Sequence, residues 1–210
     1  QRGSDMSTYA ILKTDIVDWL DNSTTELSGQ LDTLINNAED RLIDEVSEDA
    51  FFSKATGTLT SGTETIAKPT TERGVRYFQI TSGSAYVQLE RRELSFVKEF
   101  YSSTSGTDTP KYFADYDAAN FILAAKPDSN YAYEIGFVAQ LARLSSSNTT
   151  NFFTDNAYNL LLYACLVEGS VYVKYPEAAT MYSQYYERAL QGLNKRYARQ
   201  QVTNDVVPAV

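Results

Sequence analysis

The sequence predicts an α+β fold, in which helices at both ends of the chain form a helical bundle and a small antiparallel β-domain is inserted between them. Near both termini, apolar residues recur at three- and four-residue steps, the period of an amphipathic helix. From about Ala55 the composition shifts to Thr, Ser and Gly with alternating apolar residues, the period of strands. The helical pattern returns after a polar linker, residues 145–151, so the strands interrupt one bundle rather than follow it.

The first two helices are predicted to form a hairpin. A short amphipathic helix begins near Tyr9 and ends at Asp21-Asn22-Ser23. A longer helix follows Thr25, with one apolar stripe from Leu27 to Val46. Between Glu26 and Asp49 the chain has eight acids and a single base. This charge indicates a solvated helix face or, alternatively, a surface that repels DNA or meets a basic partner.

The inserted segment is predicted to be a small meander with one short helix. Ser82-Gly83-Ser84 supplies a hairpin turn, and apolar residues between Glu90 and Tyr101 fall at helical spacing. The predicted strands are Thr58 to Ile66, Val75 to Thr81, Ala85 to Arg91, Lys111 to Tyr116, Asn120 to Ala125 and Tyr131 to Leu141.

A second helical pair is predicted to close the bundle. Thr154 or Asp155 is the expected N-cap of a helix that is apolar nearly all round, and this helix should therefore be the most buried one. Pro176 opens the last helix, whose second half is basic. From Val202 no period survives, so we expect a flexible or partner-ordered tail.

The predicted organisation has five parts: an N-terminal extension at 1–8, helices at 9–54, the β-rich insertion at 55–144, helices at 145–201 and a tail at 202–210. Met6 is the expected native start, and no export leader precedes the first helix. The longest apolar run, Leu160 to Val167, is far shorter than the roughly 20 residues that cross a bilayer, so no membrane span is predicted.

The composition excludes several chemistries. The chain has no histidine and one cysteine, Cys165, so it cannot build a Ser-His-Asp or Cys-His site, a His-containing zinc site or an internal disulfide. Neighbouring carboxylates, Glu90 with Glu93 and Asp115 with Asp117, are expected on any chain with 27 acids. No glycine-rich phosphate loop or calcium-type spacing is present. We therefore predict no catalysis, no cofactor and no metal.

The 16 tyrosines are the compositional oddity. Tyrosine is common in strands and at interfaces, because its ring buries area while its hydroxyl tolerates water. The strand tyrosines, such as Tyr131 and Tyr133, could form a sugar-binding face or could fill the core. On the last helix, adjacent Tyr185 and Tyr186 point in different directions, so only one can face the bundle and the other favours a subunit interface.

Several segments in order resemble the adaptor, or head-completion, proteins of tailed bacteriophages. Tyr9 to Leu12, Asp18 to Leu20 and Leu34 to Leu42 are similar to the first two helices of that family. The central β-region is matched by Pro110 to Phe113 and Phe121 to Asp128. The linker, the central helix and the last helix are matched by Ser145 to Phe152, Leu160 to Glu168 and the spaced tyrosines up to Leu193.

The resemblance implies a noncatalytic virion subunit, made in the host cytoplasm and placed at the head–tail junction. Its expected partners are further copies in a twelve-fold ring, the portal protein, the tail or nozzle proteins, and genomic DNA in passive contact. The net charge of −9 agrees with passage of DNA without adhesion. The expected portal-interface residues are Arg188, Lys195, Arg196, Tyr197 and Arg199, and those that line or rim the channel are Asp40, Asp44, Glu45 and Glu48.

Three alternatives stay open at this stage. The charged residues of the first and last helices could simply pair with each other within one chain. The protein could instead be a tail-tube or tail-terminator subunit of a phage. It could also be a carbohydrate-binding module that uses the strand tyrosines.

Overall fold

The computed structural model describes residues 7–22, 24–100 and 106–205, with side chains through residue 199 except that of Phe100. Its contacts divide the chain into two units, which we call the helical unit, residues 1–50 and 141–210, and the barrel unit, residues 51–140. Parts of the predicted extension, of the loop before Thr107 and of the predicted tail lie outside the described residues. Among the described residues, no helix is both long enough and apolar enough to cross a bilayer.

In its described residues, the helical unit has six helices: α1 (Tyr9–Leu20), α2 (Thr25–Ser28), α3 (Leu31–Glu45), α5 (Phe152–Asn156), α6 (Tyr158–Tyr172) and α7 (Pro176–Asp205). Helix α6 is central, because α1, α3, α5 and α7 all pack against it. Most of its own apolar side chains are buried, and those of Leu161, Cys165 and Leu166 have no exposed surface. A nearly all-apolar helix is stable only in such a position.

Three helix boundaries differ from the prediction. The helix expected after Thr25 is broken at Gly29-Gln30 into α2 and α3. The predicted N-cap of the apolar helix, Thr154 or Asp155, is wrong, because α6 begins after Ala157, which makes no side-chain cap. Thr154 and Asp155 lie instead in the short helix α5, where the Asn151 side chain accepts the N–H groups of Phe153 and Thr154, and Thr154 completes a capping box. Helix α7 extends to Asp205, three residues beyond the predicted start of the tail.

A 3-10 turn, Glu48–Phe51, leads into the barrel unit, whose described residues form nine strands and helix α4 (Leu94–Phe100). The strands are β1 (Phe52–Leu59), β2 (Thr65–Ala67), β3 (Glu72–Ser82), β4 (Ala85–Arg91), β5 (Thr107–Asp108), β6 (Tyr112–Asp115), β7 (Asn120–Ala124), β8 (Lys126–Pro127) and β9 (Tyr131–Ala139). Seven of them form one sheet in the order β1-β9-β3-β4-β6-β7-β2, and β5 pairs with β8.

The predicted fold class is wrong. The main sheet is not a small antiparallel insertion in a helical bundle: it is mixed and curls into a nearly closed barrel. The parallel pairing of β4 with β6 is possible because α4 connects them as a crossover. Strand β9, which is late in the chain, pairs with both β1 and β3. Alternation in sequence shows where a strand lies but not its neighbours, so the predicted meander misses these pairings.

The barrel closes over one aromatic core. Every second residue of β9 points inward with residues of β1 and β3, among them Ile135, Phe137 and Phe78. Phe113 and Phe121 stack edge-to-face on each other, with ring centroids 5.5 Å apart. The predicted strand Thr58 to Ile66 is in fact the end of β1, a turn with Gly62 at φ 74°, and the start of β2.

Gly136 in β9 permits a close contact on the outer side of the sheet. A Cβ at this position would lie 2.2 Å from Cε1 of the Tyr77 ring on β3. The ring therefore rests on the glycine backbone, and its hydroxyl reaches Glu134 on the same strand, at 2.5 Å.

We expect Gly136→Ala to lower the free energy of unfolding by about 1–3 kcal/mol, because Tyr77 must move or the strand must shift. Gly74→Ala in β3 is the matched control, since a Cβ there meets nothing within 4 Å. Urea unfolding followed by circular dichroism measures both. Equal stability of the two variants would contradict this account of Gly136.

Glu39 is a buried carboxylate that joins three segments of the helical unit. It projects from α3 with no exposed surface. Its oxygens accept the N–H of Leu144, at 3.2 and 3.3 Å, and the Asn151 amide, at 2.6 Å. Because Asn151 also caps α5, the carboxylate ties α3 to the returning chain and to the start of the next helix.

Burial raises the pKa of the Glu39 carboxyl above its usual 4.5, although the hydrogen bonds from Leu144 and Asn151 oppose the shift. The folded protein then holds this proton more tightly than the unfolded chain. The stabilisation that follows is fully present below the unfolded value of 4.5 and is lost as the pH rises through the higher folded value.

We therefore expect the free energy of unfolding of the wild type, relative to that of Glu39→Gln, to increase as the pH falls from 8 toward about 4.5. Urea titrations of both proteins at several pH values measure the difference. Asp44→Asn, which changes an exposed carboxylate on the same helix, is the control and should not reproduce this trend. A difference that is independent of pH would contradict the assignment to Glu39.

Candidate docking surfaces

The basic half of α7 lies largely in solvent. Arg188, Lys195, Arg196 and Arg199 are exposed, whereas Tyr197 is half-buried, with its ring centroid 6.2 Å from that of Phe152. At about 100° per residue, positions 188, 195 and 199 share one side of the helix. Within the described part of the chain, Arg188, Lys195 and Arg196 form no ion pair. Their charges are therefore available to another molecule.

The four acidic candidates do not form one uniform patch. Asp40 is paired with Arg143, and Glu45 accepts a hydrogen bond of 2.9 Å from the Tyr186 hydroxyl. Glu48 lies exposed in the 3-10 turn and has a partner, while Asp44 is exposed on α3. The pair Asp40–Arg143 is solvated and so contributes little stability.

The end of α3 is held against α7 by polar groups that the sequence analysis did not identify. Asn194 donates to the carbonyl oxygen of Glu45 at 3.1 Å and accepts the N–H of Ser47 at 3.0 Å. Burial, with the hydrogen bond to Glu45, raises the pKa of Tyr186. Asn194 and Tyr186 therefore hold the end of α3 against α7.

An aromatic patch covers one side of the helical unit. We define it as Trp19 on α1, Tyr163 on α6, and Met181 and Tyr185 on α7. The Trp19 ring centroid is 6.2 Å from that of Tyr163, which in turn is 5.5 Å from that of Tyr185. Trp19 is 48% exposed, Met181 42% and Tyr185 39%. Large apolar side chains exposed together in this way mark interaction surfaces.

Tyr185 and Tyr186 were predicted to point in different directions, with only one facing the helical bundle. This is confirmed, because Tyr186 is buried and Tyr185 is exposed in the aromatic patch. The sequence analysis did not identify Trp19 as part of a surface. Its position on the apolar stripe of α1 suggested a core residue, and only the packing of α1 against α6 and α7 leaves about half of the ring uncovered.

Two of the strand tyrosines, Tyr131 and Tyr133 on β9, pack against the core of the barrel. Tyr131 is buried, and its hydroxyl donates to Asp128 at 2.6 Å. Tyr133 is packed with the core, edge-to-face on Phe78 at 5.8 Å. The Tyr131 ring is therefore closed to a ligand, whereas Tyr133 is partly exposed and also lines the groove described next.

The outer face of the barrel carries a shallow polar groove of about 390 Å³ over β1, β9 and β3. Thr56, Thr58 and Gln79 line it, with Tyr86 at its edge. Glu134 at its floor is engaged by Tyr77 and Lys54, and hydrogen bonds from these two lower the pKa of its carboxyl. Among the residues that line this groove, Glu134 is the single carboxylate.

The sequence-derived carboxylate pairs lie apart from any such cleft. Asp115 is paired with Lys68 at 2.6 Å and with Arg91, and these hydrogen bonds lower its pKa although burial opposes them. Asp117 accepts the N–H groups of Ala119 and Asn120, both at 2.7 Å, within its own turn. Glu90 is paired with Arg92 at 2.5 Å. Asp115, Asp117 and Glu90 are thus each bound by neighbouring groups, as in an ordinary surface ion pair or turn.

Cys165 has no exposed surface, and burial raises the pKa of its thiol. In the described residues, no group of three or more acidic or thiol side chains is close enough to hold a metal ion. Among the described residues, the basic half of α7, the aromatic patch and the barrel groove are candidate surfaces for contact with other molecules.

Comparison with known protein families identifies the family of this chain. The model of the SU10 adaptor protein family matches residues 7–208, nearly the whole chain. No curated protein matches the chain. Because the family model covers both units and the connections between them, the chain belongs to the SU10 adaptor proteins, a family of phage head–tail adaptors that are structural components of the virion.

Proposed function

We propose that this protein is the ring subunit that joins the portal to the tail and forms part of the DNA channel. The family match supports an adaptor role. The observation that carries the proposal further is the basic half of α7, where Arg188, Lys195 and Arg196 are exposed and form no ion pair within the described residues. Such charges recognise a complementary acidic surface and speed its encounter.

The portal is the partner assigned to this basic surface. Arg199 extends it by one turn beyond Lys195, and half-buried Tyr197 fixes that part of α7 against Phe152. Asn194 and Tyr186 bind α7 to Glu45 at the end of α3, so the helix holds its cations in a defined geometry. Ordered charges on a rigid element lose little entropy on binding.

The acidic residues are assigned to the channel or its rim. Asp40, Asp44, Glu45 and Glu48 lie on or just after α3, which has no basic residue in its last turn. A negative wall repels the DNA backbone and lets the genome pass without adhesion. The twelve-fold ring, the tail or nozzle partners and synthesis in the host cytoplasm complete the proposed role, which needs neither a catalytic group nor a cofactor.

The proposal is tested by mixing the purified protein with the portal of the same virus and imaging the product by negative stain. We expect a ring that caps the portal. Lys195→Glu with Arg196→Glu should weaken binding by about tenfold or more, because each reversal turns an attraction into a repulsion. Arg73→Glu, an exposed reversal in the barrel unit, is the control and should bind like the wild type.

Two results would contradict the proposal. Polymerised tubes without portal would indicate a tail-tube subunit. Portal binding that is unchanged in the Lys195→Glu, Arg196→Glu variant would remove the basic half of α7 from the interface.

A further inference from the structure

The first half of α7 carries a second exposed stripe, distinct from its buried side. Glu177, Met181, Gln184 and Arg188 follow one another at steps of four, three and four residues, the spacing of a helix-pairing seam. All four are exposed, and Tyr185 lies beside them. Tyr182 and Tyr186 are buried, so they face the helical unit while this stripe faces away from it.

The stripe has a charge order along its length. Glu177 is at its start, Met181 and Tyr185 form an apolar middle, and Arg188 follows about 16 Å further along the axis. In the described residues, neither Glu177 nor Arg188 has a partner of opposite charge. A helix face that is negative at one end and positive at the other is complementary to an antiparallel copy of itself.

The neighbouring helix strengthens the negative end. Leu20 at the end of α1 lies against Gly169 near the end of α6, just before the turn into α7. Asp18 and Asp21 are exposed around that end and flank Trp19. The aromatic patch therefore has acidic groups toward the start of α7 and Arg188 toward its middle.

We propose that free copies of this chain pair through α7 about a two-fold axis. The axis passes near position 182 or 183, because that point lies midway between Glu177 and Arg188. Each Glu177 then faces Arg188 of the second copy, and Met181 lies across from Gln184. Two symmetric ion pairs flank a shared apolar centre made by Met181 and Tyr185 of both copies, which buries the exposed part of the aromatic patch.

The pairing also regulates the surface assigned to the portal, a consequence that rests on the proposed function. Arg188 belongs to the basic half of α7, and the pair covers it. The dimer must therefore dissociate before the whole basic surface of a copy can contact the portal. Pairing thus prevents unassembled subunits from binding the portal too early. The pairing itself does not depend on the portal and is tested without it.

Sedimentation of the full chain over a range of concentrations tests the charge contacts. We expect a monomer–dimer equilibrium whose dissociation constant rises about tenfold or more in Arg188→Glu, and likewise in Glu177→Arg, because each variant creates two like-charge contacts per dimer. The double variant Glu177→Arg, Arg188→Glu restores both pairs and should return to within about threefold of the wild type. Arg73→Glu is the control and should leave the constant unchanged.

A cysteine crosslink tests the two-fold geometry. Gln184→Cys places a thiol near the axis in both copies, and a short bis-maleimide should join it to its own equivalent. The native Cys165 is fully buried and does not compete. Lys111→Cys, exposed in the barrel unit, is the control and should not crosslink at the same concentration.

The outcomes separate this inference from the proposed function. A chain that stays monomeric at every concentration, or a dimer that is insensitive to the charge changes, overturns the pairing and leaves the portal test untouched. A larger ring without the Gln184→Cys crosslink also overturns it, while it supports the ring. If Gln184→Cys crosslinks as expected but the uncrosslinked wild type never binds portal, the pairing is supported and the proposed portal contact is overturned.

Discussion

The helical unit depends on a carboxylate that has been removed from water. Glu39 has no exposed surface, yet its two oxygens are occupied by the backbone of Leu144 and the amide of Asn151. Burying a carboxylate is costly unless its hydrogen bonds are satisfied. The groups that satisfy it belong to the segment that returns from the barrel unit, so the start of α5 and the path of that segment are both set by one side chain of α3.

The central helix α6 makes the rest of the unit possible. Because it is apolar nearly all round, α1, α3 and α7 can each pack a different side against it. Helix α7 gains a rigid base from that packing, and Tyr186 and Asn194 lock it to the end of α3. The opposite side of α7 is exposed to solvent and bears the charged residues. The same arrangement that stabilises the unit therefore also presents its interaction surface.

Local patterns predicted much of the secondary structure but little of the sheet. Strand β4 was predicted with its observed bounds, and the helix after Pro176 begins where proline favours a first turn. The pairing of β9 with both β1 and β3 was not predictable, because those partners are distant in the chain and alternation is the same for any partner. The capping role of Asn151 was missed because the helix it starts is only five residues long.

The sequence by itself determined which sites this protein cannot build alone: without histidine and with a single cysteine, it has no Ser-His-Asp or Cys-His site and no internal disulfide. It also placed the basic residues on the last helix, since their identity and helical spacing are local properties. Only the tertiary structure decided that Tyr131 and Tyr133 face the barrel core, that half of Trp19 stays in solvent and that Arg188 has no partner within the described chain. Those outcomes depend on which distant segments pack together, and that packing is not written in the spacing of neighbouring residues.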